Sequence, residues 1–366
     1  MAPSSSKNRK GRKAPKPLAP PPHVAQMKSR KRARQVTTLF HKYTRERDHA
    51  VMRLRGEDGG EEAPQADLKE WDAKIEAIGG RTMYQQASQL STSFHSTSKW
   101  VLGYLQRNGW LYGIPIHNKE YDDDKAENAK QQKKTSKTTT IISDNNDKKK
   151  KKRRRPRRDT KILEIGAINT ELLDASERTV VMSDTGNETK KYRLQVRAID
   201  LHSMYPGRIE EADFNKLPLP DSNVNSVDDR YDVIVCSMVL NCVTTPQDRG
   251  EILTRIYDFL LPGGKFFFTV PKLCLTQSPF IDKNSFMGLL GPTGVGFKVD
   301  ETKESPKVCF FICSRPPTSD QNVEHNILFD DKWIQKRQLH FGKKYRNQFA
   351  VVLDKQRILA TRQQKT

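Results

Sequence analysis

Two acidic residues, each ending an apolar run and the first beside a glycine, are the side chains of this sequence best placed to do chemistry. In KILEIGAINTELL (161–173) the run ends in Glu164 and Gly166; in VRAIDLHS (196–203) it ends in Asp200. A glycine at a strand end lets the backbone approach a ligand, and an acid at the end of a following strand accepts hydrogen bonds from a ribose. Together they describe a grip on a nucleotide-type cofactor. The pattern departs from a phosphate-binding loop in two ways. One glycine stands where such loops carry three, and Asp200 falls 34 residues after Gly166 rather than the usual ~20.

The elements that must position these residues follow from periodicity. From Lys161 to about Arg315 the chain alternates strand and helix patterns, which predicts a mainly parallel sheet with right-handed crossovers. Strands are expected at KILEIG, VRAID, YDVIVCSMVLNCV (231–243, running into a loop) and KFFFTV (265–270). GFKV (296–299) and KVCFFICS (307–314) are expected to pair antiparallel at the end. Short helices are expected over 169–176 and 286–290, a longer one over 246–261 with Ile252, Ile256, Phe259 and Leu260 inward, and a turn at Leu261-Pro262-Gly263-Gly264. Residues 179–194 read as a hairpin around Asp184-Thr185-Gly186-Asn187, and this accounts for the long first crossover. Upstream, Leu68, Trp71, Ile75 and Ile78 recur at helical spacing until Gly79-Gly80. Met83, Ala87, Leu90 and Phe94 predict a second helix, and Ser98 is placed to cap a third that buries Trp100, Val101, Tyr104 and Leu105. The polar stretch 85–98 presents amides and hydroxyls, either to nucleic acid or to solvent.

Five segments result. Residues 1–66 are expected to be a disordered basic arm with a short basic helix over 36–55, and 67–117 a helical cap or substrate-side region. Residues 118–159 are a low-complexity basic insertion, 160–315 the cofactor-binding sheet domain, and 316–366 a basic C-terminal extension. The chain carries 65 Lys and Arg against 44 Asp and Glu. Residues 1–35 hold eleven Lys/Arg and residues 148–158 hold ten, with no acid in either, so these two runs equal the whole excess of +21. Basic arms on a less charged body suit a polyanion such as RNA, and they favour the nucleus or nucleolus over a membrane; solvated linker charge is the alternative for either run alone. No apolar run reaches the ~18–20 residues of a membrane span. The five cysteines lie in or beside apolar segments without a CxxC pair, which points to reduced core thiols and away from a metal site.

Three features favour S-adenosyl-L-methionine over a dinucleotide. The missing glycines matter little to a cofactor without phosphate. ADFNKLPLP (212–220) supplies an acid beside an aromatic for an adenine ring. The order of a YD-led strand, a helix and LLPGGKFFFTV is familiar in S-adenosylmethionine-dependent methyltransferases. More narrowly, LEIGAINTELL, VRAIDLHS, IEEADFNKLPLP, YDVIVCSMVLNCVTTPQDRGEIL, FLLPGGKFFFTVPKLCLTQSPFI and SFMGLLGPTGVGF, with YQQASQLSTSFHSTSKWV upstream (84–101), resemble the fungal 25S rRNA adenine-N(1)-methyltransferase family. The resemblance covers roughly 84–315, apart from 118–159 and 176–194. It implies an α/β, Rossmann-like class I methyltransferase sheet and a nucleolar enzyme of ribosome biogenesis. Its partners would be large-subunit rRNA and the pre-ribosome. A related animal family senses S-adenosylmethionine, so a non-catalytic sensor is the alternative.

On this reading Gly166 and Asp200 occupy cofactor positions. Glu164 holds the methionine ammonium or is a buried structural acid. Asp213 binds the adenine amino group, and Phe214 covers the ring or packs in the core. Ser237 and Asn241, at the end of the central strand, are the candidate catalytic residues; Asn241 either orients the target base or is a satisfied buried amide. Phe94, Trp100, Phe280 and Phe286 are candidates to stack on a flipped adenine.

Overall fold

The computed structural model describes residue 27 and residues 29–54, 65–92, 97–115, 157–182, 188–220, 229–317, 329–342, 345 and 347–363. Its centre is a seven-stranded sheet. In chain order the helices and strands are α1 (Arg30–Leu54), α2 (Gln65–Ala77), α3 (Gly80–Thr92), α4 (Thr97–Arg107), β1 (Ile114–Pro115), β2 (Arg157–Arg158), β3 (Thr160–Ile165), α5 (Glu171–Ser176), β4 (Thr179–Met182), β5 (Glu188–Lys191), β6 (Leu194–Asp200), β7 (Glu210–Glu211), β8 (Tyr231–Ser237), α6 (Pro246–Phe259), β9 (Leu260–Pro271), α7 (Lys272–Thr276), α8 (Lys283–Leu290), β10 (Lys298–Glu304), β11 (Val308–Ser314) and α9 (Lys355–Gln363). The sheet order is β10-β11-β9-β8-β3-β6-β7. Strands β7, β6, β3, β8 and β9 run parallel, and β11 is inserted antiparallel between β9 and β10. The expected α/β sheet with a closing antiparallel pair is therefore present, and β4 pairs with β5 in the expected crossover hairpin.

Both faces of the sheet are covered, so its strands are apolar on both sides. On one face Ile162, Val233, Val235, Phe267 and Ile312 pack under Val101, Tyr104 and Leu105 of α4 and Leu172 of α5. On the other, Leu163, Ile234, Phe266, Phe268 and Phe311 meet α6 and α8 through Ile252, Ile256, Phe286 and Leu289. Phe268 stacks between Phe266 and Phe311, at 4.7 Å from each ring. Helix α6 starts at Pro246 because Thr245 accepts from Asp248 N at 3.0 Å, while Asp282 and Ser285 form a reciprocal cap on α8.

Several boundaries differ from the sequence reading. The basic helix begins at Arg30, not 36, because Ala33 and Val36 pack with Ala87 of α3 among the intervening charges. Ser98 lies buried inside α4, one residue past its start, instead of capping it. The turn expected at 261–264 is part of β9, where Gly263 takes φ +77° and the register with β8 shifts between Tyr231 and Val233. Arg157 and Arg158, at the end of the basic insertion, are structural. They pair as β2 with β1, and both guanidinium nitrogens of Arg158 donate to the buried Asp232 carboxylate, at 2.6 and 2.5 Å. The C-terminal segment is more than a basic extension. Phe329, Trp333, Phe349, Val351, Leu353 and Ile358 complete the core, and a Cβ on Gly250 of α6 would fall 1.8 Å from Val352 O. The rest of the expected arm and insertion, residues 1–26, 28, 55–64 and 116–156, lies outside the described residues. No described helix is long and apolar enough to cross a membrane.

Candidate active site

Parallel strands bring their carboxyl ends to one edge of the sheet, where open α/β sheets bind ligands. Ile165 of β3 pairs with Ile199 of β6 on one side and Cys236 of β8 on the other. The next residues in register are Gly166, Asp200 and Ser237, side by side at that edge. Gly166 has φ +73°, and a Cβ there would lie 2.4 Å from Cγ2 of Val239. Its N–H and that of Ala167 both donate to Ile199 O, at 2.9 and 3.0 Å. The single glycine is thus required by both conformation and space.

Glu164 lies on the face covered by α4 and α5 and is only 8 % exposed. Its Oε2 is buried with no hydrogen-bond partner among the described residues. Burial, then the nearby carboxylate of Glu171, pushes its pKa up to about 8. A buried, unpartnered carboxyl beside the glycine suits a ligand cation. Asp200 is held differently. Its Oδ1 accepts from His202 N at 2.9 Å and from Gln85 Nε2 at 3.4 Å, and Gln85 also donates to His202 O. Burial raises the Asp200 pKa while the His202 amide opposes that shift. The Ala212 N–H donates to Asp200 O at 2.9 Å, which brings Asp213 beside Asp200. Asp213 caps a 3₁₀ turn over 214–216 by accepting from Asn215 N at 3.0 Å. Phe214 is 5 % exposed and packs on Phe259, with the ring centroids 5.4 Å apart and Arg255 alongside. The structure places its ring in the core.

Beyond β8 the chain turns sharply, with Met238 at φ +60°, an uncommon conformation for a side chain of that size. Ser237 Oγ shares hydrogen bonds with Thr97 Oγ1 at 2.8 Å and Thr269 Oγ1 at 3.0 Å. Asn241 Oδ1 is buried without a partner among the described residues, and its Nδ2 reaches Cys242 Sγ at 3.5 Å. Arg249 fixes this loop. Its guanidinium donates to Leu240 O (3.0 Å), Val243 O (2.7 Å), Thr244 O (3.2 Å) and, from the C-terminal segment, Ala350 O (2.8 Å). Burial lowers its pKa to about 10. Among the described residues no cluster of three His, Cys, Asp or Glu side chains could hold a metal ion, and burial pushes the Cys236 thiol up to about 12.

The sequence has relatives among known proteins. A sequence-family model described as 25S rRNA (adenine(2142)-N(1))-methyltransferase, Bmt2, matches residues 121–351. The chain belongs to the Bmt2 family. The Saccharomyces cerevisiae protein named 25S rRNA (adenine(2142)-N(1))-methyltransferase is 37 % identical over 149 residues, a match that spans 40 % of this chain and 42 % of that relative. Among solved structures, the N-methyltransferase NodS from Bradyrhizobium japonicum in complex with S-adenosyl-l-homocysteine is 14 % identical, covers 43 % of this chain and 79 % of that one, and has a TM-score of 0.29. A putative S-adenosylmethionine-dependent methyltransferase from Listeria monocytogenes gives 12 %, 43 %, 92 % and 0.31. These superpositions are loose; the fold is read from the strand order described above.

In this Bmt2 family member the register brings Gly166, Asp200 and Ser237 together, and the Ala212 contact adds Asp213. Sequence reading missed Gln85, Thr97, Val239 and Arg249. Gln85 and Gln86 fell in the stretch read as a wet or RNA-facing surface, but both are buried, and Gln85 serves Asp200. Gln86 carried a signal, since it falls at helical spacing between Met83 and Leu90, whereas nothing in the sequence marks Gln85 apart from the other amides. Arg249 left no signal, because a buried arginine held by carbonyls looks in sequence like any helix surface charge. Of the proposed stacking aromatics, Trp100 packs edge-on against Phe267 and Phe310, and Phe286 is fully buried. Phe280 is half-buried with Lys336 Nζ 4.2 Å from its ring, and Phe94 lies outside the described residues.

Proposed function

We propose that this chain is an S-adenosyl-L-methionine-dependent methyltransferase that methylates N(1) of an adenine in large-subunit rRNA, acting on pre-ribosomes in the nucleus or nucleolus. The observation that carries this reading is a pair of unpartnered polar atoms at one sheet edge: Glu164 Oε2 beside the glycine and Asn241 Oδ1 on the loop after β8. The first suits a cofactor ammonium and the second a base amino group. Membership of the Bmt2 family supports the substrate.

The cofactor, when bound, supplies a methyl group activated by its sulfonium. Glu164 would hold the ammonium as a carboxylate, so it gives up its proton on binding. Asp200, oriented by His202 and Gln85, would accept the ribose hydroxyls, and Asp213 the adenine amino group. Gly166 leaves the space that these contacts need. Adenine N(1) keeps a free lone pair in the neutral base, so no residue must remove a proton before attack. The remaining task is to align the acceptor with the methyl group. We assign this to Asn241, whose Oδ1 would accept a hydrogen bond from the exocyclic amine and stabilise the cationic product base. Ser237, held between Thr97 and Thr269, would line the acceptor side. The target adenine must be unpaired or flipped out to expose its Watson–Crick edge.

Labelled cofactor and large-subunit rRNA from cells lacking the protein provide the test, with 1-methyladenine mapped by reverse-transcription stops. Transfer to one adenine is expected, and Asn241→Ala should lower kcat by about 100-fold while cofactor affinity is retained. Cofactor binding without transfer would overturn the enzyme reading in favour of a sensor. Transfer that survives ribonuclease would move the substrate to protein or a small molecule.

A further inference from the structure

We propose that Phe280, Lys336, Arg337, Leu339, Phe341 and Tyr345 form a platform for the unpaired RNA that flanks the target adenine. The proposal rests on the rRNA methyltransferase reading and adds where the substrate docks. Position comes first. Leu339 N and His340 N donate to Pro279 O at 2.7 and 3.2 Å, and Asn347 N donates to Gln277 O at 2.9 Å. Residues 277–280 follow α7, which follows the carboxyl end of β9, where Thr269 bonds Ser237. The platform therefore lies beyond the sheet edge that carries the candidate site. It is on the β9 side, whereas Asp200 is on the β6 side. Arg249 bonds both the Asn241 loop and Ala350, so the C-terminal segment and the acceptor loop are held by one side chain.

The chemistry comes second. Phe341 is 75 % exposed and Leu339 45 %, beside the half-buried Phe280 ring with Lys336 over it. The Tyr345 ring lies 6.2 Å from that of His340. From Lys332 to Arg346 the sequence has six Lys/Arg and no acid. The neighbouring carboxylates are already engaged. Asp282 pairs with His340, Glu304 with Lys272 and Lys283, Asp330 with Lys332, and Asp331 with Lys355. Exposed aromatic faces beside a basic stretch without acids fit bases and phosphates together, the two components of a single strand.

The experiment uses the full chain with a large-subunit rRNA fragment that contains the methylated adenine. Filter binding across a salt series and steady-state methyl transfer are measured, with cofactor affinity as the check on folding. Phe341→Ala is expected to weaken RNA binding by about tenfold and raise KM with little change in kcat, and Phe341→Trp to restore it. Lys336→Ala with Arg337→Ala should reduce the salt slope by about 1.4, roughly 0.7 for each phosphate contact to a single strand. Wild-type RNA affinity in all these variants, with methyl transfer intact, overturns the platform. So does a loss confined to binding an acidic protein or anionic vesicles. If the variants lose RNA affinity but wild-type protein transfers no methyl group to any rRNA, the platform stands and the enzyme reading fails.

Discussion

Asp200 and Glu164, near the carboxyl edge of the sheet, are one strand apart and held in opposite ways. Asp200 is oriented before any ligand arrives, with Oδ1 fixed by a backbone amide and the Gln85 side chain. Glu164 is buried with an oxygen that nothing among the described residues satisfies. An oriented acceptor suits neutral hydroxyls, which need direction more than charge. A desolvated, unpartnered carboxyl is unfavourable alone and becomes favourable when a cation enters. On the proposed function, the first acid would contribute to fit and the second would couple binding to protonation.

The largest expected effect breaks the oriented side. Asp200→Ala should weaken S-adenosylmethionine binding by about 100-fold or more in titration calorimetry, since two hydrogen bonds to a charged acceptor are lost. Unchanged affinity would remove Asp200 from the site. Next, Gly166→Ala should disturb both acids at once, costing about 2 kcal/mol of stability from positive φ and the clash with Val239. Adding Val239→Ala should recover only the steric part in thermal unfolding, because the backbone strain remains. Glu164→Gln sharpens the contrast through pH. The native carboxyl keeps its proton up to about 8, whereas the unfolded chain releases it near 4.5. Stability from this group is therefore complete below 4.5 and lost as pH rises through 8. The ligand-free Gln variant should not show that loss. Cation binding needs the carboxylate, so wild-type affinity should rise from pH 6 to 8 and level off. The Gln variant should bind about tenfold more weakly above pH 8 with a flat profile. A flat wild-type profile would show that Glu164 does not meet the cation. The smallest effect is expected from Gln85→Ala, about three- to fivefold in affinity, because His202 N still orients Asp200.

The sheet and its edge were legible because their signals are local. An apolar run bounded by Glu164 and Gly166, and another ending in Asp200, already state which strand ends adjoin. The strand order then sets them side by side. The adjacency of Gly166 and Asp200 could be read, and so could the hairpin between β4 and β5 that lengthens the first crossover. What was hidden depends on long-range contact. Gln85 meets Asp200 across 115 residues, and Thr97 meets Ser237 across 140. Arg249 reaches Ala350 across 101 residues, and no composition rule announces a guanidinium held by carbonyls. Phe214 stayed open between two readings for a related reason, since an aromatic beside an acid looks the same whether it faces a ligand or Phe259. The C-terminal segment read as a basic extension because the ten Lys and Arg from Lys332 to Lys365 hid the apolar residues that anchor it.

The ribbon of β1 and β2 has a consequence for how this chain tolerates change. Pro115 pairs with Arg157 and Ile114 with Arg158, so residues 116–156 leave and rejoin the body at one point. Asp232 and the amino ends of β3 and β8 lie there, at the far end of the sheet from Gly166 and Asp200. The stem brings the two ends of that segment together. Each doubling of its length adds only about 0.6 kcal/mol to closure. The position is thus a natural port, where lineages can lengthen, shorten or recharge the intervening sequence, and where a label or an added domain can enter, without altering the geometry of the site.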